Sequence, residues 1–241
     1  MAIIAILASL VLLFMAPGVK GASLELEAQQ RQILAKLKPY LGVPYRNDGA
    51  LNTHGEYTTF AKPTFRFKEP GLNCSGFLVD ASRKILGQAF PLKDVMEDQN
   101  GNSGPGSPYG EDWDFGHDLV FNILKGKEAR TLVGGPGPSR GMNIADQRKW
   151  EEILPLFRPG HLYYAALSKP TKRRGYTLMF YHVGLLVTGG RGEVWFYHTT
   201  RKSNTHRFNI ASRAGMRQLQ YQFSASSLGP KYMSIYEVAV P

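Results

Sequence analysis

The chain has 241 residues, 43% hydrophobic and 20% charged, an ordinary globular composition that suits one domain with a sizeable core. No repeat of about 20 to 50 residues recurs, which excludes solenoid and propeller architectures. The formal charge of +10 favours an anionic partner such as a cell-wall polymer, a membrane surface or a nucleic acid, and the single cysteine excludes an intrachain disulfide.

Ala2 to Met15 is an apolar run with one polar residue, Ser9, and it is broken at Pro17. It is short for a membrane span, which takes about 20 residues. Its length fits a signal-peptide core, with Val19 and Gly21 as small residues before a cut at Ala22. Residues 1–21 are therefore assigned as a signal peptide and 22–241 as the mature domain. No Lys or Arg precedes the run, so retention as an N-terminal anchor is the alternative. Export, to the periplasm or to the extracellular face of the cell envelope, is expected. Exported cysteines usually pair as disulfides. A lone one, Cys74, is either an incidental buried residue or is kept for its thiol.

In chain order, Leu26, Ile33, Leu34 and Leu37 recur at helical spacing, and Pro39 with Gly42 ends that helix. The stretch "GVPYRNDG" is turn-rich. A second helix begins at Cys74, with Asn73 as N-cap, an apolar stripe of Phe77, Leu78, Ala81 and Ile85, and Gly87 as its stop. The thiol then sits among unpaired N–H groups that favour a negative charge, so it should ionise below about 8.5. Residues 90–157 are loop-rich, with short helices in "HDLVFNILKGKE" and "IADQRKWEEILPLF". This segment is taken as an insertion, a lid or a substrate wall. Beyond it, "HLYYAALS", "TLMFYHVGLLV", "EVWFYHTT", "QLQYQFSA" and "YMSIYEVAV" have strand composition. Helices followed by strands indicate an α+β fold with a C-terminal antiparallel sheet.

Two of those strands carry His182 and His198. With a three-residue loop at Gly189–Arg191, Thr188 faces Gly192 and the two histidines face each other directly, Cβ atoms about 5 Å apart. A four-residue loop would put them on opposite faces. Adjacent histidines and a thiol at a helix start are the parts of a cysteine nucleophile site. One imidazole takes the thiol proton, the other orients it, and helix-start amides hold the oxyanion.

The segments "LGVPYRNDG", "LNCSGFLVDASRKIL", "RPGHLYYAAL" and "YHVGLLVTGGRGEVWFYHTT" occur in the order of the NlpC/P60 cysteine peptidases, and the chain resembles that family over about a third of its length. The resemblance implies a papain-like fold and hydrolysis of peptide bonds in peptidoglycan stem peptides, commonly between D-glutamate and the diamino acid. It implies Cys74 as nucleophile, His182 as base and His198 as orienting residue, with Tyr45 and Ser75 binding substrate. Asn73 stands where the family usually has Asp, and His161 replaces the Asp of its Pro-Gly-Asp turn. Cys74 and His182 are 108 positions apart, about twice the family's spacing.

Two further readings use the same residues: an acyltransferase passing the thioester to an amine or lipid, and a non-catalytic envelope-binding protein with an inert thiol. Zinc held by Cys74, His182 and His198 competes, but no His-Glu-x-x-His or Cys-x-x-Cys spacing supports it, so neither metal nor cofactor is expected. His54, His117, His161 and His206 are assigned to surface and loops. The basic cluster at 169–175 lacks interleaved aromatics, so nucleic acid is not expected as partner. A monomer is expected, with peripheral contact to an anionic envelope allowed by its charge.

Overall fold

A computed structural model describes residues 17–99, 113–172 and 178–241, with side chains from Leu24 onward. Most of the assigned signal segment, residues 100–112 and part of the basic cluster lie outside the described residues. In chain order the elements are α1 (Pro17–Leu37), β1 (Gly49–Leu51), β2 (Tyr57–Thr59), α2 (Cys74–Leu86), α3 (Leu92–Val95), α4 (Phe115–Leu124), β3 (Ala129–Val133) and β4 (Met142–Asn143). They continue as α5 (Gln147–Ile153), β5 (His161–Pro170), β6 (Leu178–Thr188), β7 (Val194–Thr200), β8 (Asn204–Asn209), α6 (Arg213–Gln222) and β9 (Tyr232–Ala239). The class is α+β. One antiparallel sheet runs β3-β9-β5-β6-β7-β8, with β4 also on β9, and β1-β2 form a separate hairpin. Among the described residues no helix is long and apolar enough to cross a membrane.

The sheet is buried on both faces because its strands are apolar at successive positions rather than alternate ones. Leu162, Tyr164, Ala166, Val183 and Leu185 face α1, α2 and α4. Tyr163, Ala165, Leu167, Leu186 and Phe196 face the other way, against Trp150 and Ile153 of α5 and Met216 and Leu219 of α6. Arg83 fixes α2 laterally, donating Nη1 to the Leu51 carbonyl at 2.6 Å and Nε to that of Phe90 at 2.8 Å.

Helix α2 has the bounds its sequence predicts. Asn73 caps it, and Gly87 closes it at φ 65°, in the left-handed region that glycine enters without a Cβ penalty. Helix α1 ends where expected, at Leu37, and extends back through the assigned cleavage point. Segment 90–157 is more than a lid: it supplies α3, α4 and α5, and its β3 and β4 extend the sheet along β9.

Two sequence readings need correction. "QLQYQFSA" is not a strand: α6 covers most of it. Period-two alternation would place Leu219 and Tyr221 on one face, yet Leu219 is fully buried and Tyr221 is 87% exposed. Met216, Leu219 and Phe223 instead share a helical stripe, and Ser212 caps the start by accepting from Gly215 N at 3.0 Å. The β6–β7 loop has five residues, 189–193, so that Thr188 pairs with Val194. The register therefore slips by two from the expected one, and side-chain parity survives. His182 and His198 share a face as diagonal, not opposite, neighbours.

Candidate active site

The site is built first by the start of α2. The Asn73 side chain accepts from Gly76 N at 2.7 Å, and its carbonyl accepts from Phe77 N at 3.0 Å. Its own N–H donates to the Gly49 carbonyl, also at 3.0 Å. The first helical amides left over, those of Cys74 and Ser75, both favour the thiolate form of Cys74. Gly76 makes this approach feasible: a Cβ there would lie 2.0 Å from the Gly49 carbonyl oxygen.

Cys74 is partly buried and packs against the core under α2. Burial pushes its thiol up, and outweighs the opposing Val183 N–H, Ser75 hydroxyl and helix-start amides. The expectation of a lowered thiol is corrected here: desolvation of the charged form exceeds what the helix terminus returns. Ser75, expected at the substrate, is itself buried, and its hydroxyl faces the sulfur.

His182 and His198 meet as the sequence suggests. His182 Nε2 and His198 Nδ1 are 2.9 Å apart with the rings at 88°. The β6 bulge at Tyr181, between the Leu167–His182 and Ser168–Phe180 pairs, turns His182 toward α6. Phe223, just past α6, covers the pair, with ring centroids 5.1 Å from His182 and 5.4 Å from His198. Phe196 stacks on His198 at 4.7 Å. Burial first, then electrostatic repulsion from His206 and Lys231, lowers His182 to about 3. His198 is held well below its usual value by burial, then by His182 and His206. Both rings are neutral at pH 7.

The structure does not bring the His182 ring onto the thiol. The N–H facing the sulfur belongs to Val183, the next residue, and while Cys74 packs with Val183 on the α2 face of the sheet, the His182 ring points to the α6 face, under Phe223. No hydrogen bond joins the sulfur to either imidazole. His182 lies instead on a cleft of about 660 Å³ whose lining includes Thr200, Arg201, Lys202, Gln218, Tyr221 and Phe223 but not Cys74. Tyr45 stands on the loop leading to the thiol, bridged to Leu72. Its N–H donates to Asn204 Oδ1 at 3.1 Å, and the Arg201 guanidinium lies 5.6 Å from its ring centre. It thus ties the β7–β8 turn to the approach to Cys74.

Sequence reasoning missed Phe223 and Arg201, and its assignment of His117 and His206 to surface and loops is corrected: His117 is buried in α4, and His206 lies on β8 opposite His198. Also missed were three carboxylates, Asp98, Asp114 and Asp118, whose oxygens lie within 4.8 Å of one another. Asp114 and Asp118 are buried, and Gln99 N donates to Asp118 Oδ2 at 3.0 Å. Hard oxygen donors of this kind suit Mg²⁺ or Ca²⁺ rather than zinc.

In comparisons with known proteins, no family model and no curated protein matches the chain.

Proposed function

We propose that the chain is an exported cysteine hydrolase of the NlpC/P60 type, on a papain-like fold, that cleaves amide bonds in peptidoglycan stem peptides. The observation that carries this reading is the 2.9 Å bond between His182 Nε2 and His198 Nδ1, one residue from the Val183 N–H that faces the Cys74 sulfur. That bond leaves His182 Nδ1 as the nitrogen available to a thiol.

In the proposed reaction His182 Nδ1 accepts the Cys74 proton as the sulfur attacks the scissile carbonyl carbon. The amides of Cys74 and Ser75 donate to the oxyanion, the role that free donors at a helix start perform well. The His182 imidazolium then protonates the departing amine and leaves a thioester on Cys74. Water, deprotonated by His182, hydrolyses it and regenerates the thiol. No cofactor enters these steps. Because thiol and imidazole are both neutral at rest, proton transfer accompanies attack rather than preceding it. Because the His182 ring lies on the α6 face of the sheet and Cys74 packs on the α2 face, this step requires substrate binding to be accompanied by a movement of β6 that brings the ring onto the sulfur.

Arg201 and Lys202 on the cleft, with the chain's net charge of +10, support an anionic polymer as substrate. The test is digestion of purified peptidoglycan and defined muropeptides by the protein and by Cys74→Ala, read by mass spectrometry. New fragments that the variant does not produce support the reading and identify the bond. Intact substrate with both proteins contradicts it.

A further inference from the structure

The imidazole stack does not end at His198. Strands β7 and β8 pair with His198 directly opposite His206, and their ring centroids are 4.2 Å apart at 52°. His198 is fully buried, and its Nε2 has no partner; the Nε2 of His206 is likewise buried without one. Two unsatisfied nitrogens on facing rings are complementary if one carries a hydrogen and the other a lone pair.

The position of one hydrogen decides the rest. His206 Nδ1 lies 3.2 Å from the Asn204 carbonyl oxygen. A carbonyl only accepts, so Nδ1 carries the hydrogen and the Nε2 of neutral His206 is a lone pair. The donor that suits it is an N–H on His198 Nε2, brought into line by a small rotation of either ring. His198 Nδ1 is then a lone pair, and it accepts from His182 Nε2 across the 2.9 Å contact. His182 Nε2 therefore carries its hydrogen, and its Nδ1 is left with the lone pair that a base requires.

We propose that His206 is a positioning residue: its anchorage to the Asn204 carbonyl fixes the tautomer of His198 and, through it, the free lone pair on His182 Nδ1. The proposal rests on the reading of His182 as the base. In the opposite tautomer His182 Nδ1 holds a hydrogen and cannot take one from the thiol.

The experiment combines imidazole ¹⁵N chemical shifts of the full chain, labelled at histidine, with steady-state hydrolysis of a stem-peptide amide. The variants are H206F, which keeps an aromatic ring beside Phe208 but offers no acceptor, and H206Q, whose Oε1 can accept from His198. In the unaltered protein His182 and His198 should be protonated at Nε2 and His206 at Nδ1. H206F should move the hydrogens of His182 and His198 toward Nδ1 and lower kcat about tenfold or more, with KM changed less than about twofold. H206Q should restore both. If H206F does not fold, H206L is read the same way. Unaltered tautomers of His182 and His198 in the apolar variant, or a hydrogen on His182 Nδ1 in the starting protein, would overturn the proposal. The two claims fail separately. An inactive protein with the stated tautomers sinks the hydrolase and leaves the tautomer relay standing. An active one whose tautomers ignore His206 does the reverse.

Discussion

His182 and His198 are joined at 2.9 Å although neither lies directly opposite the other in the sheet. Continuing the β6–β7 register places Gly184 across from His198, and His182 one same-face position further along. Gly184 keeps that space open, because a Cβ there would lie 2.5 Å from the Phe196 ring that stacks on His198. The histidine pair is thus a product of strand register, a bulge and a missing side chain together.

The pair should behave as one catalytic unit. His198→Phe removes the partner of His182 Nε2 while preserving bulk, and should lower kcat about a hundredfold with little change in KM. His198→Gln or His198→Asn, which can still accept at that position, should retain far more activity. Equal losses in all three variants would show that His198 only fills space.

Phe223 shields the pair from water and contributes to the desolvation that lowers His182. Phe223→Ala should therefore raise the His182 pKa toward its ordinary value of about 6.5. The acidic limb of the kcat/KM profile should move to higher pH by the same amount. Titration of the His182 ring by NMR measures the shift directly, and an unchanged ring would contradict the role given to Phe223.

Linkage gives a stability prediction with a definite sign. His182 titrates near 3 in the folded chain and near 6.5 in the unfolded one. Between those values the unfolded state binds the extra proton, so stability falls as pH drops through that window. The slope is up to about 1.4 kcal/mol per pH unit for each such histidine. Urea melts at pH 7 and pH 4.5 should differ more for the parent than for His182→Phe, which has no proton to bind. Parallel losses in the two proteins would exclude the effect.

The thiol prediction has the opposite sense. Burial raises Cys74, so alkylation by iodoacetamide should rise with pH to a half-point above about 8.5. A rate plateau persisting below pH 6 would instead reveal a preformed thiolate–imidazolium pair.

How much of this was legible in the sequence depends on whether a signal is local. The start and end of α2 follow from Asn73 and Gly87 acting on adjacent backbone, and both were readable. The shared face of His182 and His198 was readable because parity survives a slip of two, whereas the loop length was not. The loop contains a turn of 3-10 helix over Gly190–Gly192, with Arg191 at φ 57°, and nothing in its composition distinguishes five residues from three. The three-residue count fails there yet fits the next hairpin, where Thr200 pairs with Asn204 and His198 with His206. Strand β8 was passed over because "NTHRFN" is short and polar, as an edge strand tends to be. Phe223 was misplaced because "QLQYQF" alternates, and only the burial of Leu219 beside the exposure of Tyr221 reveals the helix. The balance that raises the Cys74 thiol was beyond any reading of sequence, since it compares burial with local donors and needs the packing of α2 on β6.

The central claim is that Cys74 attacks an acyl carbonyl and holds it as a thioester. The most direct measurement is intact-protein and peptide mass spectrometry on samples acid-quenched within the first turnovers on a muropeptide. The account predicts a transient adduct equal in mass to the acyl half of the substrate, located on Cys74 and absent in Cys74→Ser and His182→Phe. Turnover of the muropeptide with no adduct on Cys74, or an adduct that forms equally well without His182, would contradict it.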